Sequence, residues 1–148
     1  MTSFILCVMK ITEFPFATYC LMNCIKVSDS CGIRTAVGSS MLIHFADALR
    51  REFRADDLIG RIGGDEFVVL MSRIPDLEQV RKKADLVSSH MVFELEDSTV
   101  TCSAGISIYP TDGRNSDDLY RAADQRLYKA KDSGKARFLC PESDKPCG

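Results

Sequence analysis

The sequence lacks the features that mark several large classes of protein. Its 148 residues carry 19 basic and 21 acidic side chains, so the net charge is −2 and there is no excess positive charge for coating nucleic acid or an anionic membrane. Histidine occurs only at His44 and His90, and no Cys-x-x-Cys pair is present, which argues against a zinc site. Without repeats or low-complexity segments, this length predicts one domain with its own hydrophobic core.

An uninterrupted apolar run is also missing. The most apolar stretch, Ser3–Ile25, contains Lys10, Glu13 and Pro15. Burying Lys10 and Glu13 in lipid would cost about 3 kcal/mol each. The stretch also lacks the basic segment, clean apolar run and small-residue cleavage site of a secretory signal. We therefore predict that the chain contains no membrane span.

Cysteine, in contrast, is abundant. There are seven cysteines, an odd number, and four of them lie within the first 31 residues. A chain of this length can fold on its hydrophobic core and needs no disulfide framework. We therefore predict reduced thiols and a cytoplasmic protein.

Hydrophobic periodicity predicts alternating strands and helices, which is typical of an α+β or α/β fold. Two apolar runs, Leu58–Ile62 and Glu66–Met71, flank Gly63-Gly64-Asp65, and this pattern predicts a β-hairpin because glycine allows positive φ angles in a tight turn. The other predicted elements are helices at Ser39–Phe53, Pro75–Met91 and from an N-cap at Ser116 to Gly134, strands at Phe4–Ile11, Val100–Ile108 (half-buried) and Ala136–Leu139, connecting chain at Phe14–Gly38 and Pro110–Gly113, and a frayed tail from Pro141.

The hairpin turn carries the residues best suited to chemistry. The adjacent glycines Gly63 and Gly64 leave backbone N–H groups uncovered, so phosphates or a purine can approach closely. Asp65 and Glu66 follow, and a divalent cation that holds a triphosphate prefers such carboxylates. The same carboxylates could accept a proton from a sugar hydroxyl. Taken alone, these residues favour the simpler interpretation of a hairpin turn with two solvated acids.

Three collinear motifs resemble those of the GGDEF family, the diguanylate cyclases. Arg61–Phe67 resembles the signature after which the family is named. Val100–Ile106 and Tyr109–Gly113 are similar to the family's VTxSxGIAxYPxDG strand and turn. Ala122–Lys135 is similar to its ADxALYxAKxxGRN helix end. The resemblance extends over Gly38–Leu139 and identifies the chain as a member of this family.

The resemblance implies a fold, a reaction and partners. The fold would be a nucleotide-cyclase-like (ferredoxin-like) α+β sandwich, with a mostly antiparallel central sheet flanked by helices. The reaction would join two GTP molecules into cyclic di-GMP with release of two pyrophosphates, with Mg²⁺ on the triphosphate and one GTP bound by each subunit of a homodimer. We expect residues 38–140 to form the recognisable GGDEF domain, residues 1–37 to be an atypical or truncated front end of it, and residues 141–148 to be a flexible tail.

The resemblance also assigns roles to residues. At Lys135 the family prefers Arg, and Lys supplies the charge without the bidentate fork. For Lys131 and Lys135, the alternative explanation is a helix whose C-terminus is basic because positive charge is favoured there. The implied roles are metal binding and acid–base work for Asp65 and Glu66, nucleotide contact for Gly63 and Gly64, and phosphate binding for Lys131 and Lys135.

A regulatory motif lies just before the hairpin. Arg54-Ala55-Asp56-Asp57 resembles the family's RxxD inhibitory site, at the expected spacing from Gly63. There, Arg54 and Asp57 would clamp cyclic di-GMP through phosphate and guanine. The alternative is a charged helix end that enters a loop.

The front of the chain departs from the family pattern. Active relatives carry a DxLTGLxNR stretch and a first strand that ends in DxDxFKxIND. Two registers are possible for that strand: Met9–Phe14, which puts Lys10 at the metal-binding Asp, and Leu21–Lys26, which puts Leu21 there.

Both registers leave the metal position without a carboxylate. The only acidic residue among the first 28 is Glu13, and neither register puts it at that position. Ser39 stands where the family has a guanine-reading Asp. Since Mg²⁺ needs the missing negative charge, we expect weak or absent cyclase activity.

Three interpretations therefore remain open. The chain is a diguanylate cyclase with a poorly recognisable front end, or it is a degenerate member that binds cyclic di-GMP through Arg54 and Asp57. The third interpretation is a non-functional remnant whose first residues are not native to the family.

Overall fold

The computed structural model describes residues 20–24, 37–63, 66–95, 98–133 and 138–141. The strand predicted at Phe4–Ile11 lies outside these ranges. The same is true of Gly134 and of three predicted site residues, Gly64, Asp65 and Lys135.

Strands and helices alternate along the described chain, as the periodicity predicts. The predicted hairpin and the three predicted helices are confirmed, and their ends shift by at most two residues. The elements are β1 (Cys20–Cys24), α1 (Val37–Glu52), β2 (Leu58–Gly63), β3 (Glu66–Met71), α2 (Leu77–His90), β4 (Val92–Leu95), β5 (Ser98–Thr101), β6 (Ala104–Ile108), α3 (Ser116–Asp132) and β7 (Phe138–Leu139).

A five-stranded sheet with the order β2-β3-β1-β6-β7 forms the centre of the molecule. The pairs β2–β3, β3–β1 and β1–β6 are antiparallel, and β6–β7 is parallel. Strands β4 and β5 form a separate two-stranded sheet. A mostly antiparallel sheet with flanking helices is the predicted α+β class.

Strand β1 corrects the prediction that Phe14–Gly38 is mostly connecting chain. Cys20–Cys24 pairs along its whole length with β3 on one side and β6 on the other. Five residues with one polar member, Asn23, are too few to show a period, so the sequence gives no signal for this strand at the centre of the sheet. Its position agrees with the Leu21–Lys26 register, and the Met9–Phe14 register lies outside the described residues.

The segment predicted as one half-buried strand at Val100–Ile108 is two strands. Strand β5 pairs with β4, which the sequence analysis missed, and β6 joins the central sheet. All five residues of β6 are buried, so its alternation of small and large residues does not mark an exposed face. The small residue Gly105 is required because α3 crosses there: a Cβ at Gly105 would lie 1.9 Å from the Ala123 carbonyl oxygen.

The helices close the core with one face each. The start of α3 differs from the prediction, because Asn115 is the N-cap and accepts a hydrogen bond from the Asp118 N–H at 2.9 Å, while Ser116 is the first helical residue. An N-cap accepts such a bond from the third residue into the helix, and Asn suits this as well as Ser. The buried helix residues are Met41, Phe45 and Leu49 on α1, Val80, Ala84 and Val87 on α2, and Leu119, Ala123, Leu127 and Ala130 on α3.

A buried ion pair ties α3 to the end of β6. Arg126 donates to Asp112 Oδ1 and to the carbonyl oxygen of Ile106, both at 2.7 Å. Asp112 Oδ2 accepts from the Ile108 N–H at 2.7 Å. The predicted turn after β6 is present and contains a cis Tyr109–Pro110 bond. These contacts tie the second half of α3 to the end of β6 and to the turn that follows it.

The cysteine prediction holds at one described position and fails at another. Cys102 is a free, buried thiol, whereas Cys140 is disulfide-bonded, so the expectation of reduced thiols is wrong for Cys140. Spacing in the sequence alone does not show which cysteines can meet the distance and geometry that a disulfide requires. Over the described ranges, no helix is long and apolar enough to cross a membrane.

Candidate functional site

The central sheet has two ends, and predicted site residues lie at both. We call the end at Gly63 and Glu66 the turn end and the opposite end the base. In the register of the strands, Phe67 lies beside Cys24, and Cys24 beside Ala104, so these positions mark the turn end. The base is marked by Leu58, Met71, Cys20 and Ile108.

Gly63 and Glu66 form the last pair of the β2–β3 hairpin. Both are exposed, and the register shifts between Arg61 and Gly63. Apart from its neighbours in the chain, no atom of the residues that the structure describes lies within 4 Å of the position that a Cβ would take at Gly63. A ligand can therefore approach the backbone here, and the strand partner of Gly63 is the exposed Glu66 at the start of β3.

Helix α3 carries Lys131 to the turn end. Its first turn lies at the base, where Gly113 approaches Asp118 and Leu119. It then crosses β6 at Gly105, beneath Ala123 and Leu127. The helix therefore ends beyond Ala104. Lys131, which is half-buried in its last turn, lies at the turn end of the sheet, as the hairpin turn does.

The register of β1 identifies which of its residues comes nearest to the turn. Leu21 lies opposite Leu70, four residues along β3 from Glu66, which is about 13 Å. Asn23 lies opposite Val68, which is two residues along β3 from Glu66. Because residues two apart in a strand lie on the same face, these positions share one face of the sheet. Of these two positions on the face shared with Glu66, Asn23 therefore lies nearer to the hairpin turn than Leu21 does. Neither proposed register of the first strand anticipated this residue.

The RxxD motif forms a tight turn at the base. The Arg54 N–H donates to Asp57 Oδ2 at 2.9 Å, and the Asp57 N–H donates to the Arg54 carbonyl oxygen at 3.0 Å. Asp57 Oδ1 also accepts from the Ser72 N–H at 3.4 Å. The half-buried Asp57 carboxylate therefore holds the turn against the end of β3, while the Arg54 side chain is exposed.

The two candidate sites are therefore at opposite ends of one hairpin. Strand β2 begins at Leu58, directly after the RxxD turn, and ends at Gly63. Its six residues span about 17 Å. A ligand at one end does not compete for space with a ligand at the other.

A contact at the base was not predicted. Asp56, inside the RxxD turn, forms an ion pair with Arg73, which follows β3 and has φ 57°. Contacts of this kind between residues seventeen positions apart leave no periodic signal in a sequence.

The fold and the glycine–carboxylate hairpin define a nucleotide-cyclase-like α+β domain. A family model described as "Diguanylate cyclase, GGDEF domain" matches residues 24–137. The chain therefore belongs to the GGDEF family of cyclic di-GMP signalling domains.

Relatives and solved structures agree with this assignment. MucR of Pseudomonas aeruginosa, a bifunctional diguanylate cyclase/cyclic di-GMP phosphodiesterase, is 36% identical over 110 residues, which are 72% of this chain and 16% of MucR. The probable diguanylate cyclase DgcT of Escherichia coli is 30% identical over 121 residues, 77% of this chain and 26% of DgcT. The chain thus spans a minor part of the length of these relatives.

Among solved structures, the GGDEF domain of TpbB from Pseudomonas aeruginosa superposes with a TM-score of 0.71 at 26% identity, covering 86% of this chain and 83% of that one. The GGDEF domain of DgcB from Caulobacter crescentus, solved in complex with cyclic di-GMP, has a TM-score of 0.68 at 18% identity, covering 82% and 77% of the two chains. The second likeness bears on the fold alone.

Proposed function

We propose that this chain binds GTP at the turn end and that its cyclase reaction is weak. The observation that carries the proposal is the strand pairing of β1. None of the five residues of β1 is a carboxylate, and Asn23, opposite Val68, is the β1 position nearest to Glu66 on the same face of the sheet. An amide offers one neutral oxygen where a carboxylate would offer a negative charge.

The donor set fits Mg²⁺ poorly. Mg²⁺ takes hard oxygen ligands in strict octahedral geometry, usually one or two carboxylates with phosphates and waters. The hairpin supplies Asp65 and Glu66, but β1 adds only Asn23. Within the part of the chain that the structure describes, no three His, Cys, Asp or Glu side chains are grouped closely enough to hold a metal ion.

The remaining residues support nucleotide binding. The open backbone at Gly63, with Gly64 next to it in the sequence, would accept the nucleotide. Lys131 in the last turn of α3 would hold its phosphates together with Lys135. Glu66 would accept the proton of the attacking sugar hydroxyl. Since each subunit of a homodimer would contribute one GTP, turnover would also require two copies of this chain to meet at their turn ends.

The test is formation of cyclic di-GMP from GTP with Mg²⁺, followed by chromatography. We expect the wild-type chain to form little product. Asn23→Asp should raise the rate about tenfold or more, because it restores one charge beside the hairpin. Leu21→Asp is the comparison, because the Leu21–Lys26 register puts Leu21 at the metal-binding Asp. We expect it to raise the rate less than Asn23→Asp does, since Leu21 lies farther from the hairpin turn in the strand pairing. Rapid turnover by the wild-type chain that is lost in Glu66→Ala would contradict the proposal of a weak enzyme.

A second candidate function, a cyclic di-GMP receptor, is favoured by the intact RxxD turn. The Arg54 guanidinium is exposed, and the turn that presents it is held by three hydrogen bonds that involve Asp57 or the Arg54 carbonyl. Because the Asp57 carboxylate also maintains the turn, its substitution would confuse binding with folding. Arg54 is therefore the residue to change.

Calorimetry with cyclic di-GMP tests the receptor. Binding should be lost in Arg54→Ala and kept in Arg121→Ala, which removes an equally exposed arginine from α3. Equal binding by both variants would contradict a role for the RxxD turn. A chain that binds neither nucleotide and melts without cooperativity would instead be the non-functional remnant.

A further inference from the structure

Two guanidinium groups stand at the RxxD turn, although the motif contains only one arginine. Arg73 follows β3 by two residues and pairs with Asp56, which lies between Arg54 and Asp57. The neighbouring Ser72 N–H donates to the Asp57 carboxylate, so the chain around Arg73 lies against the turn. The charges at this turn are those of Arg54, Asp56, Asp57 and Arg73, which sum to zero.

Fold stability does not explain an arginine at position 73. Its φ of 57° is in the left-handed region, which favours glycine and, among other residues, Asn or Asp. The side chains of Arg73 and Asp56 are 68% and 63% exposed, and exposed ion pairs contribute little to stability. Neither the backbone nor the ion pair therefore requires this side chain.

Cyclic di-GMP has two phosphodiester groups, each with one negative charge. Arg54 can bind one of them, and a planar guanidinium fork binds phosphate oxygens in pairs. A second phosphate would need a second cation at the same turn. Arg73 is that cation, and Asp56 is the group from which the phosphate would have to take it.

We propose that Arg73 is a second phosphate-binding residue of the RxxD site and that Asp56 competes with the ligand for it. This proposal rests on the proposed binding of cyclic di-GMP through Arg54. It predicts that Asp56 lowers the affinity of the site, because each binding event must replace an existing ion pair. Asp56 would thus set the concentration of cyclic di-GMP at which the site fills.

The experiment is calorimetry with cyclic di-GMP at low salt on the full chain. Arg73→Gln should weaken binding about five- to tenfold, as loss of a charge-assisted hydrogen bond at an exposed site. Asp56→Asn should tighten it about two- to fivefold, the range of an exposed ion pair. In the Arg73→Gln background, Asp56→Asn should have a smaller effect, since the competition is gone.

Matched controls separate this effect from a general change of charge. Arg121→Gln and Asp124→Asn remove single charges from the exposed face of α3 and should leave the affinity unchanged. Arg73→Gly separates binding from folding, because glycine suits the positive φ. It should weaken binding while the Tm stays the same or rises, whereas a purely structural role would lower both.

Two results would overturn the inference in distinguishable ways. If Arg54→Ala abolishes binding while Arg73→Gln and Asp56→Asn bind like the wild type, the RxxD site exists without Arg73. If the wild-type chain does not bind cyclic di-GMP, the proposed receptor function fails and the role of Arg73 fails with it.

Discussion

Two glycines of the sheet differ in how much space their surroundings leave for a side chain. A Cβ at Gly105 on β6 would lie 1.9 Å from the Ala123 carbonyl oxygen and 2.4 Å from the Leu127 backbone nitrogen. A Cβ at Gly60 on β2 would meet no atom within 4 Å. Gly105 therefore sets the distance between α3 and the sheet, whereas Gly60 does not.

Gly105→Ala should destabilise the protein by about 3 kcal/mol or more, because the obstacle is backbone and cannot rotate away. Gly60→Ala is the control and should change the free energy of unfolding by less than about 1 kcal/mol, since alanine loses less entropy than glycine on folding. Urea unfolding measures both. Equal effects would mean that α3 does not pack on Gly105 as described.

Residue patterns predicted the hairpin and its glycines but not the surroundings of buried positions. The glycine–carboxylate turn is a local signal, because φ preferences act within a few residues. The small residues of β6, such as Gly105 and Ser107, suggested an exposed face. They are small because β6 is buried beneath a helix that lies elsewhere in the sequence. Asn23 was missed for the same reason: its neighbour Val68 is fixed by strand pairing, which a single sequence does not reveal.

Among the elements, α3 is positioned by an ion pair with the turn after β6 as well as by its crossing of β6. The ion pair between Arg126 and Asp112 is buried, with 13% and 10% of the two side chains exposed. It joins the turn after β6 to the second half of the helix. Since Lys131 lies little more than one turn further along, the same contact orients the end of α3 that approaches the hairpin turn.

Removing one partner of this pair should be costly, because the other charge stays buried without compensation. Asp112→Asn should lower the free energy of unfolding by about 2–3 kcal/mol, and Arg126→Met by a similar amount. The double variant should lose less than the sum of the two. Asp47→Asn, which breaks the exposed pair with Arg50, should cost under about 0.5 kcal/mol. Additive losses in the double variant would show that the pair is not coupled.

In the whole molecule, the β2–β3 hairpin keeps the two candidate sites apart. Glu66 lies at one end of the sheet and the RxxD turn at the other, about 17 Å away along β2. Glu66→Ala should therefore leave the affinity for cyclic di-GMP at the RxxD turn unchanged, and Arg54→Ala should leave the affinity for GTP unchanged. Calorimetry with each nucleotide checks this, and a shared loss of both affinities in either variant would place the ligands in one site.

The most direct test of the central claim, that β1 no longer completes a magnesium site, is the affinity for GTP with and without Mg²⁺. Calorimetry compares the wild-type chain with Asn23→Asp under both conditions. We predict that Mg²⁺ changes the affinity of the wild-type chain by less than about threefold and that of Asn23→Asp by about tenfold or more, which is 1.4 kcal/mol. A strong Mg²⁺ dependence in the wild-type chain that Asn23→Asp does not increase would contradict the claim.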